Sequence, residues 1–219
     1  MPVPPDVIAF DDVPTLFSLA SLEPLLADAG ATSPAADAWL RRVLADGFAL
    51  TAAGDYKSFS DLAGATLAEM LPDACDEARQ AVLDGLAELE PYVDSAPAMA
   101  RGMQGAGVIV VTNDSLAGTR LLLERSGLDA FCQDVVSAEQ VQAWRPAPAP
   151  YLDAASVADV AGPRLALVSA HPWDVHGARR ARLVTGWCNR DGRTFPSSFE
   201  PADVEGPELL SVVEALLSL

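Results

Sequence analysis

Apolar residues along the chain follow two rhythms, and the points where one gives way to the other mark out the elements. Val7–Phe10 is a short apolar run ending at two aspartates, Asp11 and Asp12, the pattern of a strand entering a loop. From about Leu16 to Met99 the spacing is helical, with apolar positions three and four apart, as in Val82, Leu83, Leu86 and Leu89. Pro91 and Pro97 interrupt the last of these helices. Gly107–Thr112 then reads as a buried strand, with Asn113–Ser115 supplying caps for a helix over Leu116–Arg125 and Ser126–Gly127 ending it. Asp134–Ser137 is a further short strand, followed by a proline-rich loop over Arg145–Pro150 and a helix over Tyr151–Val160. Leu165–Ser169 and Leu183–Trp187 are the remaining strands, with a helix over Val175–Ala181 between them and an amphipathic helix over Pro207–Leu219 to close.

Strands alternating with helices at this spacing predict an α/β fold, a doubly wound, Rossmann-like parallel sheet. The long helical stretch predicts an inserted all-helical cap domain, residues 18–99, on a core of residues 1–17 and 100–219. Ligands of an open parallel sheet bind outside the carboxyl ends of its strands. Asp11, Thr112, Asn113, Arg145 and the segment from Ser169 to Asp174 are therefore expected to meet at one edge.

Composition changes the picture mainly by exclusion. The 219 residues are half hydrophobic, enough for a sizeable core. Against 14 basic residues stand 31 acidic ones, a net charge of −17, which argues against nucleic-acid and anionic-membrane partners. No stretch approaches the roughly 18 apolar residues of a membrane span. The first ten residues lack the basic and apolar regions of a signal peptide. The three cysteines form no CxxC pair, which fits a reducing compartment and offers no zinc site. A soluble cytoplasmic protein is expected. Two histidines, His171 and His176, show no metal-ligand spacing.

A carboxylate attacks carbon or phosphorus when it is fixed in line and stripped of excess water. Asp11, at a strand end with Thr15 to bond nearby backbone, suits that task. The alternatives are an ordinary turn aspartate or helix cap, and Asp12 competes for the same role.

At these residues the chain resembles a known family. Phe10–Phe17 resembles the first motif of the haloacid dehalogenase superfamily: an apolar strand, Asp, three variable residues, then Thr-Leu. Val111–Ser115 resembles the second, and Trp144–Arg145–Pro146 occupies the slot of a family Lys-Pro. Val168–Asp174, followed by Gly177–Ala178, resembles the fourth motif of the type II 2-haloacid dehalogenase branch. The four occur in order over nearly the whole chain.

The resemblance implies a hydrolase that displaces a leaving group from C2 of a small carboxylic acid through a covalent ester on Asp11, with neither metal nor other cofactor. Asp174 and His171 are the candidates for orienting or deprotonating the hydrolytic water. Thr112 and Ser169 would bind the substrate carboxylate, and Asn113 with a cap arginine, Arg41 or Arg42, would hold a departing halide. Trp39, Phe59 and Trp173 would wall the site off from bulk water. Homodimers are common in the family, so a homodimer is a further implication.

The chain also departs from the pattern. Family phosphatases carry a second acid two residues after the nucleophile, where this chain has Val13, and paired acids in the fourth motif, where it has Asp174 alone. Both differences point away from Mg²⁺-assisted phosphoryl transfer. The family lysine is Arg145, which is larger and cannot deprotonate. Pro14 removes a backbone donor from the loop around Asp11, and a gapless match sets Leu40 where the halide-binding arginine belongs. The alternatives to a 2-haloacid dehalogenase are C–N ring opening, as in azetidine-2-carboxylate hydrolases, a divergent binding or scaffolding protein, and a phosphatase.

Overall fold

A computed structural model describes residues 3–219. Its centre is a six-stranded sheet in the order β5-β4-β1-β6-β7-β8, every pairing parallel. The strands are β1 (Val7–Asp11), β4 (Gly107–Thr112), β5 (Asp134–Ser137), β6 (Leu165–Ser169), β7 (Val184–Cys188) and β8 (Val204–Gly206). In β1 and β6 every residue is buried, as a strand covered on both faces requires. Side chains alternate between the two faces. Ile8, Phe10, Val108 and Val110 join one core cluster, while Val7, Ala9, Ile109 and Val111 join the other.

The second cluster is closed by Tyr151, Ala154 and Ala155 of α7 (Pro148–Val157) and by Ala178 of α8 (Pro172–Arg180). The first is closed by α5 (Ser95–Met103), α6 (Leu116–Ser126) and α9 (Leu209–Leu217), with Met99, Leu122 and Val212 among the buried contacts. From β1 the chain proceeds outward to β4 and β5 on one side, then returns to build β6, β7 and β8 on the other. The reversal beside β1 leaves a crevice at the strands' carboxyl ends.

Between β1 and β4 the chain forms β2 (Phe17–Ser18), then α1 (Leu22–Asp28), α2 (Ala36–Ala53), α3 (Phe59–Met70) and α4 (Asp76–Gly85), then β3 (Glu90–Pro91). Strands β2 and β3 pair antiparallel, Phe17 with Pro91 and Ser18 with Glu90, so the four helices leave and rejoin the core through a two-stranded ribbon. The expected cap limit at residue 99 falls inside α5, which packs on α9 and β4. Strand β8 lies outside the strands that the sequence pattern predicts.

One of the closest contacts between the helices and the core lies at Gly47. A Cβ on Gly47 of α2 would lie 2.3 Å from the Trp144 ring, so glycine is required for the helix to rest on that indole. Trp144 is further tied to this layer by its backbone N–H, donating to Thr51 Oγ1, and its Nε1, donating to the Lys57 carbonyl. The residue after this anchor is Arg145.

Candidate active site

Asp11 ends β1, and the wide turn Asp12–Leu16 carries the chain away beneath it. The turn returns Thr15 to its partner: Thr15 Oγ1 donates to Asp11 Oδ2 at 2.5 Å and accepts from the Ala170 N–H at 2.8 Å. Ser169, at the end of β6, donates to the same Asp11 oxygen at 3.4 Å. The other oxygen, Oδ1, accepts from one arm of Arg145 at 2.7 Å. The second arm donates to Asp174 Oδ2, also at 2.7 Å, and Tyr151 Oη donates to Asp174 Oδ1 at 2.5 Å. Backbone closeness permits that last contact, since a Cβ on Gly177 would strike both Tyr151 Oη and Pro146.

The chain Asp11–Arg145–Asp174–Tyr151 is buried throughout; Asp11 and Arg145 are 1% and 2% exposed. Burial opposes the charge on Arg145, but Asp174 and Asp11 more than offset it and hold the guanidinium protonated. Burial and the neighbouring Asp174 carboxylate together push the Tyr151 hydroxyl well above its ordinary value, so it remains a donor. Asn113 Oδ1 accepts from the Arg145 backbone N–H, which leaves Asn113 Nδ2 as a buried donor with no partner among the described residues.

Beside this chain lies a cavity of about 40 Å³, room for only a few atoms' worth of ligand beyond what a water molecule fills. Its polar lining comes from the sheet edge: Asp11, Asp12, Asn113, Asp114, Arg145 and His171. Its apolar lining comes largely from the inserted helices, including Trp39, Leu40, Val43 and Phe59, with Trp173 contributed by α8. Phe59 stacks on Trp144, and Trp173 packs between Phe48 and His171. Trp39 spends its indole N–H on Thr66 Oγ1 at 3.0 Å. His171 Nε2 lies 3.4 Å from the Val13 carbonyl.

Several expected roles meet a different geometry. Arg41 is 77% exposed and pairs with Asp37 on the outer face of α2; Leu40 takes the inward place, because adjacent helix positions point ~100° apart. Arg42 also faces outward, to Asp46 and Glu69. Neither arginine lines the cavity. Thr112, expected to bind a substrate carboxylate, donates its hydroxyl to Asp12 Oδ2 at 2.6 Å, so that donor already serves a protein carboxyl. Thr15 and Ser169 are fully buried and hold Asp11 rather than line the cavity. Asp174, expected to act on water, stands behind Arg145 and receives its two donors there.

Asp12, Asp114 and Tyr151 are the site residues that sequence reasoning passed over. In the sequence Asp12 stands out only as a rival nucleophile to Asp11. Tyr151 carried one signal, a hydroxyl on the buried stripe of a helix beginning just after the Arg145 loop. Burial, reinforced by Asp11, pushes the Asp12 carboxyl up to about 7, against opposing pulls from Arg145 and Thr112. Burial likewise raises Asp114.

The superfamily's Mg²⁺ does not fit this donor set. The guanidinium of Arg145 occupies the space between Asp11 and Asp174 and takes an oxygen from each. A divalent ion there would face a fixed positive charge.

Comparison with known proteins adds family and fold. A model of the haloacid dehalogenase-like hydrolases matches residues 20–182, most of the chain. A curated relative, (S)-2-haloacid dehalogenase 2 of Pseudomonas sp. strain CBS-3, is 27% identical over 129 residues, 58% of this chain. That match spans only 56% of the relative. The crystal structure of an L-2-haloacid dehalogenase superposes with a TM-score of 0.91 at 19% identity, over 98% of this chain and 99% of that one. Another, from Xanthobacter autotrophicus with chloropropionic acid covalently bound, gives 0.86 at 18% identity, over 97% and 98%. No helix among the described residues is long and apolar enough to cross a membrane. A doubly wound parallel sheet, a helical insertion after its first strand, an aspartate on that strand's carboxyl end and a family model covering most of the sequence agree: the chain belongs to the haloacid dehalogenase-like hydrolases.

Proposed function

We propose that the chain hydrolyses a small substrate by displacement at carbon, with Asp11 as the nucleophile and an aspartyl ester as the intermediate, without a metal ion. The observation that supports this reading best is the placement of Asp11. It lines a small, mostly apolar cavity, and Thr15 and Arg145 fix its two carboxylate oxygens separately. Arg145 supplies the positive charge beside Asp11. A carboxylate so held loses little freedom on reaching the transition state, which is the contribution of positioning.

The stages divide among the residues as follows. Asp11 attacks the carbon and the leaving group departs with the bonding pair. Water then attacks the Asp11 ester carbon, not the substrate carbon, and returns the carboxylate. His171, which lines the cavity, is the residue suited to orient or deprotonate that water. Asn113 Nδ2, with no protein partner, is the free donor for a substrate or departing atom. Asp174 and Tyr151 act through Arg145 by holding its guanidinium against Asp11.

Small 2-haloacids, the substrates named for the relatives, are the first compounds to test. Halide release from 2-chloropropionate, lost in Asp11→Asn, is the expected result. Halide release that survives this substitution in folded protein would refute the assignment of Asp11.

A further inference from the structure

Asp12 has no part in the mechanism above, yet it lines the same cavity as Asp11 and is 6% exposed. A buried carboxyl beside a second carboxylate is costly to keep charged. Its Oδ2 accepts from Thr112, while no described residue donates to its Oδ1. The groups facing it are Asp11 of β1, Thr112 and Asp114 at the end of β4, Arg145 before α7, and His171 before α8.

Those charges bear on what the cavity admits. Three carboxyl groups line it, from Asp11, Asp12 and Asp114, and Arg145 is its one arginine or lysine. Its two terminal nitrogens donate to Asp174 and Asp11, while its buried Nε has no partner among the described residues. That one guanidinium charge is shared between two carboxylates, so the site offers little net positive charge to a substrate carboxylate or a departing halide. A leaving atom that must pick up a proton finds a carboxyl group instead.

We propose that Asp12 in its protonated form is the acid that delivers a proton to an oxygen leaving group, and that the site also opens small uncharged cyclic ethers such as terminal epoxides. This rests on Asp11 being the nucleophile. Asp11 attacks a ring carbon, the C–O bond breaks, its electron pair goes to the ring oxygen, and the Asp12 proton follows. The products are an Asp11 ester bearing a free hydroxyl group, and an Asp12 carboxylate. Water then hydrolyses the ester, releasing a diol and Asp11, and the proton freed in that step returns to Asp12. The sum is epoxide plus water to diol. Oxygen is favoured over nitrogen because a cyclic amine reaches the site already protonated at neutral pH and needs no acid. The apolar walls and the small cavity suit a compact, uncharged ligand.

The test compares 1,2-epoxybutane with 2-bromopropionamide, an uncharged electrophile of similar size whose bromide needs no proton. Adducts on Asp11 are measured by peptide mass spectrometry in wild type and in Asp12→Asn, which keeps the side-chain shape but has no acidic proton. Removing a general acid should slow alkylation by the epoxide about 10²–10⁴-fold, far more than alkylation by the bromide. In wild type the epoxide rate should also fall as pH rises through about 7, and in the variant that dependence should vanish. An equal loss with both reagents would show a structural role for Asp12 and overturn the proposal. So would a wild type that is alkylated by the bromide and inert to the epoxide. Alkylation of Asp11 by neither reagent would instead remove the nucleophile on which the proposal rests.

Discussion

The two sides of the cavity are built on opposite plans. On the sheet side nearly every polar atom near Asp11 is committed: Thr15 to Asp11 and Ala170, Arg145 to two carboxylates, Asp174 to Arg145 and Tyr151. On the helical side the lining is hydrocarbon and indole, and the polar atoms there point away, as Trp39 Nε1 does toward Thr66. The sheet side holds a reactive group still; the helical side lowers the dielectric around it and makes each charge contact count for more. Asp12 Oδ1, Asn113 Nδ2 and Arg145 Nε are exceptions on the committed side, and the proposed chemistry falls to the first two.

Breaking the sheet side should have the largest effect. Arg145→Met leaves Asp11 and Asp174 buried without their shared cation, a change expected to destabilise the fold by about 3–5 kcal/mol. Chemical denaturation would show it as a fall in midpoint. An unchanged midpoint would mean that the bridge is not what holds these carboxyls in place.

Asp12 gives the contrast a pH dependence. Its folded-state value, about 7, lies above the unfolded value of 3.8. The protein therefore takes up a proton on folding, and this group's contribution is most favourable below pH 4 and is lost as pH rises to about 7. Asp12→Asn removes that dependence and should raise the melting temperature at pH 8 relative to pH 4 when each is compared with wild type. A variant equally displaced at both pH values would contradict the burial argument.

The helical side can be disturbed through Gly47. Alanine there gains up to about 1 kcal/mol in helix propensity, but its methyl would meet the rigid Trp144 ring at 2.3 Å. Overpacking of that kind typically costs about 1–3 kcal/mol, so the net effect should be a modest destabilisation, with activity reduced through the displaced Arg145 loop. A variant as stable and active as wild type would show that the helical layer yields without moving the loop. The smallest effect expected is none: prolonged EDTA treatment should leave turnover unchanged, and loss restored by Mg²⁺ would overturn the metal-free reading.

How much of this was legible in the sequence depended on whether an element spoke for itself. Gly107–Thr112, Asp134–Ser137 and Leu165–Ser169 stand at their expected limits because a continuous apolar run bounded by turn residues identifies a covered strand. Val204–Gly206 carries no such run and pairs only because β7 is there to receive it. The two-residue strands of the ribbon are equally silent. In the site, residues at strand ends were readable from topology alone, so Asp11, Asn113 and Arg145 were expected together and are found together. Arg41 illustrates what spacing cannot decide, since choosing among Leu40, Arg41 and Arg42 needs the rotational phase of α2. Tyr151 and Asp12 matter through partners far away in sequence, and no local pattern names those.

The central claim is that Asp11 becomes covalently bound during turnover. Many turnovers in heavy-oxygen water, followed by mass spectrometry of the peptide bearing Asp11, test it most directly. The account predicts heavy oxygen in the Asp11 carboxylate, because water attacks the ester at the protein's own carbon. Label found in the product alone, with the Asp11 peptide unchanged, would mean that water attacks the substrate directly and would contradict it.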